Sequence, residues 1–286
     1  MHTIILDTDI GSDVDDALAL ATVLGSESVN LLGITTVYGD TKLRARIAHH
    51  LCHIANKSIP VFAGVKTPLS GRQVWSTGSE GKAFSNLNQY ALEDRKAVEF
   101  LVEAVNQNPG EIEVIAIGPL SNIATAIMQA PNFAKNVKHL WIMGGDFTKE
   151  KIEHNFKCDV DAAKIVLESE ISITILDLPS SQKTIIKKDE IEQIKSSGKL
   201  GPILHTEILN WIQPRHQEWT TPHDPIAVLA MLEPEFFDFS EIGSVQISED
   251  GRSGWHLNED GNVKRVSLSK PLEAVSAMIS LIAKVT

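Results

Sequence analysis

The chain is predicted to be an α/β protein with an open, mostly parallel sheet flanked by helices. Short apolar runs alternate with helix-like segments along its length, and several of the runs end at a glycine or an acidic residue. The runs are continuously apolar rather than alternating, which is the pattern of strands covered on both faces. With 286 residues, 43% hydrophobic and 22% charged, the chain can bury a large core, and one domain over residues 1–286 is expected.

Residues 3–6, Thr-Ile-Ile-Leu, form the first expected strand, and Gly11 supplies a turn. From Asp15 onward, Ala17, Leu18, Leu20, Ala21, Val23 and Leu24 mark a mostly buried helix. Further strands are expected at 31–38 before Gly39-Asp40, 61–63 before Gly64, and 114–117 before Gly118-Pro119. Two more are expected at 140–143 before Gly144-Gly145 and at 171–176 before Asp177. Between them the periodicity predicts helices over 42–56, 92–107, 121–130 and 160–169.

Ligands of such sheets bind at the carboxyl ends of the strands. Asp7, Asp9, Asp40, the turn after Ile117, Gly144-Gly145 and Asp177 are therefore expected along one edge. A closed eight-stranded barrel is the alternative and would put the site at the same end. Residues 64–90, rich in Gly, Ser and Asn and carrying Trp75, read as a flap over the site. Residues 199–223 hold Trp211, His216 and Trp219 and lead into His223-Asp224.

The formal net charge of -11, with no basic cluster interleaved with aromatics, argues against nucleic acid as a partner and disfavours a phosphate-rich ligand. No apolar run approaches the roughly 20 residues of a membrane helix. Met1-His2-Thr3 leads straight into a strand without a signal-like region, so a cytoplasmic location is expected. Cys52 and Cys158 belong to no paired-cysteine motif and are expected to be free, buried thiols.

Five aspartates, Asp7, Asp9, Asp13, Asp15 and Asp16, fall within ten positions where a buried strand passes into a buried helix. Carboxylates held so closely must stay protonated, face water, or share a cation. Helix capping accounts for Asp13, Asp15 and Asp16, but not for Asp7 and Asp9. An EF-hand is excluded, because counting from Asp7 puts Gly11 at its fifth position, Ser12 at the turn glycine and Leu18 at the bidentate glutamate. All-oxygen ligands favour calcium or magnesium over zinc.

Other candidates each have an ordinary reading beside the chemical one. Asp224, between Pro222-His223 and Pro225, also reads as a helix cap, and His223 as a packed or solvated histidine. Asp159 and Asp161 are expected to begin a helix. Glu153 and Asn155, one residue apart on an expected extended segment, can point the same way and bind a hydroxylated ligand. His49 and His53 share a helix face with Cys52 nearby, but no third and fourth zinc ligands accompany them, so a structural role is expected. No Walker loop and no GxSxG elbow occurs.

Taken together, Asp7-Thr8-Asp9-Ile10-Gly11, Asp15-Asp16-Ala17, the run from Ile117 to Ala124, Met143-Gly144-Gly145, Glu153-His154-Asn155 and His223-Asp224 resemble the inosine-uridine-preferring nucleoside hydrolase family. The resemblance spans most of the chain. It implies a Rossmann-like core with the nucleoside hydrolase fold, one bound calcium (Ca2+), a homodimer or homotetramer, and hydrolysis of ribonucleosides to ribose and free base. By position it implies that Asp9, Asp16, Asp224 and the carbonyl of Ile117 hold the calcium, with Asp7 beside them. Asp9 would be the general base on the metal-bound water. Asp15, Asp40, Met143, Glu153, Asn155 and His223 would surround the ribose, with His223 also a candidate acid for the leaving base and Trp75, Trp211 or Trp219 candidate stacking partners.

Three departures from that resemblance leave the 5′ and 2′ preferences open. Ser12, Asp13 and Val14 intervene where the family's commonest opening has one residue, Asp40 stands where asparagine is frequent, and 146–152 lacks an asparagine used near the 5′ end. Two other functions compete. An apolar strand ending in Asp7-x-Asp9 also suits a haloacid-dehalogenase-like phosphohydrolase, although Gly11 replaces its usual small hydroxyl or branched residue. A calcium-dependent nucleoside- or sugar-binding protein without turnover is the non-enzymatic reading.

Overall fold

The computed structural model describes residues 1–76, 80–148 and 150–286. Its first half runs β1 (His2–Thr8), α1 (Asp15–Leu24), β2 (Val29–Thr36), α2 (Thr41–Ile54), β3 (Val61–Ala63), α3 (Ala97–Gln107), β4 (Ile112–Ala116), α4 (Ser121–Gln129), α5 (Phe133–Asn136) and β5 (His139–Met143). There follow α6 (His154–Cys158), α7 (Val160–Leu167), β6 (Ile173–Leu176), α8 (Leu178–Ser181), α9 (Lys188–Lys195), α10 (Gly201–Ile212) and α11 (His223–Leu232). The chain ends with β7 (Phe237–Phe239), β8 (Gly243–Ile247), β9 (Ser253–Leu257), β10 (Val263–Leu268) and α12 (Pro271–Ala283).

The strands form one sheet in the order β3-β2-β1-β4-β5-β6-β10-β8-β9, with β7 also pairing β10. β3 through β10 in that order pair parallel, while β7, β8 and β9 add antiparallel contacts. The sheet does not close on itself, so the barrel alternative does not hold. β1 lies between β2 and β4, which puts Asp7 level with Thr35 on one side and Ala116 on the other.

Alternation along β1 builds two cores. Ile4 and Leu6 enter the apolar cluster that includes α1, α2 and α11, whereas Ile5 enters the cluster that includes α3, α4 and α7. All ten residues of α1 are buried, because the helix packs on α11 and α12 as well as against the sheet. A helix apolar all round is what such a position requires.

The expected helix over 92–107 starts only at Ala97, where the Glu99 carboxylate accepts from the Lys96 amide and fixes the N-terminus. β7 to β10 were not among the expected strands. β8 and β9 bury only part of their residues, and β10 carries Lys264 and Arg265 exposed, so no continuous apolar run marks them. Of the expected flap at 64–90, residues 77–79 lie outside the described residues, and the rest contains a 3-10 turn at Leu87–Gln89. The 199–223 segment contains α10. Cys52 and Cys158 are free and buried. Among the described residues no helix is long and apolar enough to cross a membrane.

Candidate active site

The carboxyl end of β1 and the first turns of α1 and α11 deliver acids, and the carboxyl end of β4 delivers Ile117. Asp7, at the end of β1, is fully buried; its Oδ1 accepts from Thr35 Oγ1 and from Asn122 Nδ2, each at 2.6 Å, and its Oδ2 has no partner among the described residues. Burial pushes its pKa up to about 7, against the pull of those two hydrogen bonds. Asp9 follows in the loop and packs against the β4–α4 turn. A Cβ on Gly118 would lie 2.8 Å from Asp9 Oδ1 and 2.9 Å from its amide nitrogen, so this approach needs glycine.

Asp15 and Asp16 stand in the first turn of α1 and Asp224 in the first turn of α11, and these helices pack together. Carboxylate oxygens of the three lie within 4.8 Å of one another, and all three residues are buried. Burial raises each pKa well above the carboxylate range, and the neighbouring acids raise it further. Thr8 Oγ1 donates to Asp16 Oδ1, and this bond and the Arg44 charge pull the other way. Asp13, held by the Val14 amide at 2.5 Å, is pushed up to about 8, chiefly by burial.

These acids open on a cavity of about 330 Å3. Asp9, Asp13, Asp15, Asp16 and Asp224 line it together with Ile117 and Met143. Glu153, Asn155 and His223 contribute polar groups, and Trp75 and Trp211 contribute aromatic wall. Glu153 is the N-cap of α6: its Oε1 accepts from Asn155 N at 2.7 Å, and its Oε2 from Phe156 N and Gly145 N, both at 3.0 Å. Burial nevertheless raises its pKa. Asn155 sits in the helix rather than on an extended segment, and its Nδ2 donates to the carbonyls of Ile117 (3.0 Å) and Met143 (3.1 Å). The pair still reaches one cavity, Glu153 as a capping carboxylate and Asn155 as an amide clamp.

His223 Nδ1 is 2.7 Å from Ser181 Oγ. Burial, assisted by the charge of Lys151, pushes its pKa down to about 4, so the ring is neutral at pH 7. Asp224 does not cap α11; Pro222 occupies the cap position without a side-chain bond. Asp40 is exposed, caps α2 through Leu43 N at 3.0 Å, and does not line the cavity, nor does Asp7. Trp219 is 41% exposed and also lies outside the lining.

His49 and His53 pack against Tyr90. Among the described residues neither joins a metal-compatible group of three or more; Asp15, Asp16 and Asp224 form one. The cavity also takes Ser12, Ile152, His154 and Leu178, none of which the sequence singled out. His154 had a signal in lying between Glu153 and Asn155, and its ring meets Trp75 edge-on at 5.2 Å.

A model of the family described as inosine-uridine preferring nucleoside hydrolase matches residues 4–274. The chain belongs to that family.

A probable uridine nucleosidase 2 of Oryza sativa subsp. japonica is 31% identical over 94% of this chain and 85% of its own length. A protein of the same description in Arabidopsis thaliana is 33% identical over 86% of this chain and 82% of its own. The solved structure of a plant nucleoside hydrolase, the PpNRh1 enzyme, superposes with a TM-score of 0.88 at 24% identity, over 99% of both chains. As a nucleoside hydrolase the chain is an enzyme acting on N-glycosyl compounds, which displaces the phosphohydrolase reading of Asp7-x-Asp9. In this nucleoside hydrolase the buried acidic trio gives an all-oxygen, strongly anionic donor set, the chemistry a hard divalent cation requires.

Proposed function

We propose that this nucleoside hydrolase cleaves the N-glycosidic bond of pyrimidine ribonucleosides, uridine foremost, in a calcium-dependent reaction. The observation that carries the reading is the meeting of Asp9, Asp15, Asp16 and Asp224 on one cavity that also has Trp75 and Trp211 in its wall. The choice of uridine leans on the two plant uridine nucleosidases to which the chain is similar.

Asp9, Asp16, Asp224 and the carbonyl of Ile117 would hold the cation, and the placement of Asp15 adds it to the candidates. When bound, calcium supplies a Lewis acid that eases deprotonation of water. Asp9 accepts the proton of the attacking water as its oxygen bonds to C1′ and the bond from C1′ to the base nitrogen breaks. The surrounding carboxylates favour the positive charge that develops on the ribose. Asp15, Glu153 and Asn155, with the main chain at Met143, face the sugar hydroxyls. The departing base takes the bonding electrons; a hydrogen bond from the neutral His223 ring eases its charge or stacking on Trp75 or Trp211 spreads it, and water supplies the proton that completes the free base. The chain acts as a single domain, and a homodimer or homotetramer is the proposed assembly, on the strength of the resemblance.

Incubation with uridine, cytidine, inosine, adenosine and guanosine, with and without a calcium chelator, tests this by measuring free base and reducing sugar together. Equal release of both, fastest from uridine and abolished by chelator, is expected. Release unaffected by chelator removes the calcium dependence, and faster release from a purine nucleoside removes the pyrimidine preference.

A further inference from the structure

Arg44 on α2 is 3% exposed, and its guanidinium turns toward the acidic loop. Nε donates to the Tyr38 carbonyl at 2.7 Å. Nη1 donates to the carbonyls of Asp9 and Ile10, the latter at 3.0 Å, and Nη2 donates to Ser12 Oγ at 3.0 Å. These bonds occupy four of the five N–H groups a guanidinium carries. Nη2 also lies 4.0 Å from Asp9 Oδ2.

Its partners belong to two separate segments beside the cavity, one lining it directly and one joined to a lining residue through Tyr38. Asp9 and Ser12 come from the β1–α1 loop and line the cavity directly. Tyr38 follows β2, adopts a φ of 67° that is uncommon outside glycine, and accepts from the Trp75 amide through its hydroxyl at 2.7 Å. Trp75 is the aromatic lining residue on the far side of that link. One buried side chain thus ties the backbone of the acidic loop to the segment that carries Trp75.

We propose that Arg44 is a positioning residue that holds Asp9 and the Trp75 wall in register across the cavity. Its geometry, not only its charge, does this. A lysine ammonium at the same place keeps the charge but is a point donor on a flexible stem, and cannot span carbonyls on both loops. Reach across two loops also explains why an arginine is buried here instead of being left to the solvent, since every carbonyl it meets would otherwise lack that donor.

The test compares Arg44→Lys and Ser12→Ala with the wild type in three measurements: kcat and KM on the nucleoside the wild type cleaves best, amide exchange over residues 9–14 and 73–76, and thermal melting. The kinetic arm rests on the proposed function; the exchange arm does not. Arg44→Lys is expected to fold, to lose about 100-fold in kcat while KM rises about 5-fold, and to exchange faster in both segments together. Ser12→Ala removes a single bond and is expected to lose about 5-fold in kcat. Arg44→Lys with near-wild-type kcat and unchanged exchange would show that charge alone suffices and overturn the proposal. So would an Arg44→Lys that fails to fold beside a Ser12→Ala indistinguishable from wild type. A wild type that cleaves no nucleoside refutes the functional reading, and exchange in the two segments then still decides for or against Arg44.

Discussion

Asn155 donates its side-chain amide to the carbonyl oxygen of Ile117 at 3.0 Å, joining a residue proposed to face the sugar to one proposed to face the cation. A carbonyl oxygen has two lone pairs, so Ile117 can accept from Asn155 and still offer a pair to a metal. The same amide nitrogen reaches Met143 O at 3.1 Å, which fixes the ends of β4 and β5 relative to α6.

Replacing Asn155 by Asp would set a carboxylate against two carbonyl oxygens. Without calcium, Asn155→Asp is expected to be less stable than Asn155→Ala, each losing about 1–3 kcal/mol or more from the buried pairing. Thermal melts in chelator measure the order. The reverse order would mean that the amide clamp is not what the carbonyls need.

Asp9→Ala removes the proposed base while leaving the acidic trio in place. A loss of about 1,000-fold or more in kcat, with nucleoside affinity reduced less than 10-fold, is the expected split. Single-turnover rates together with equilibrium binding of uridine measure both quantities. A large loss of binding with unchanged turnover would move Asp9 from chemistry to substrate capture.

What the sequence disclosed follows from how strongly local pattern constrained each part. β1 and α1 were legible because each carries a nearly unbroken apolar run, and the aspartates at their facing ends and between them had little exposed surface to go to. β8 and β10 were not, since their outward residues are polar or charged and only their place beside β6 and β9 makes them strands. Asp9, Asp15 and Asp16 were singled out by their density after β1 and Asp224 by the family resemblance, and all four converge on the cavity. Asp40 was expected from its place after a strand and from the resemblance, but its carboxylate accepts from Leu43 N, a local bond that position along the chain cannot distinguish from a ligand contact. The work of Glu153 was hidden because one of its donors, Gly145 N, comes from a turn eight residues away.

Stability should fall with pH when the cation is removed. Asp7 ionises near 3.8 in the unfolded chain but at about 7 when folded. Between those values the native state holds the extra proton, so raising pH through the window destabilises it. Asp13, at about 8, extends the effect upward, and Asp15, Asp16 and Asp224 act in the same sense. Melting temperature in chelator is expected to drop from pH 5 to pH 8. Calcium held at one concentration, about 1,000 times its Kd at pH 8, should restore about 4 kcal/mol at the upper end. A calcium effect as large at pH 5 as at pH 8 would contradict this.

His223, with its pKa near 4, is neutral through the working range, so the rate profile should show no inflection near pH 6.5 from this ring. His223→Ala is expected to slow uridine cleavage about 100-fold but to affect a nitrophenyl riboside less than 10-fold, because that leaving group is stable as an anion and gains little from a hydrogen bond donated by the neutral ring. Equal losses on both substrates, read from kcat on each, would assign His223 to sugar binding alone.

Asp159 links α7 to the segment leading to Trp75. Its carboxylate is fully buried and accepts from Leu69 N at 2.7 Å, Ser70 N at 3.0 Å, Ser121 Oγ at 2.5 Å and Ala162 N at 3.3 Å. A buried donor left without its acceptor costs about 1–3 kcal/mol, and asparagine can replace only one of the two oxygens as acceptor. Asp159→Asn is therefore expected to lose about 2–4 kcal/mol and to loosen residues 66–76 without disturbing the acids around Asp16. Released from Leu69 and Ser70, that segment keeps Arg72 on the carbonyls of Lys157 and Glu249 and Trp75 on Tyr38, so it shifts rather than detaches. KM should rise about 10-fold while kcat at saturation falls less than 3-fold, since only the aromatic wall has moved. Steady-state kinetics and limited proteolysis near residue 70 read the two effects; a kcat loss larger than the KM rise would place Asp159 in support of the acids instead.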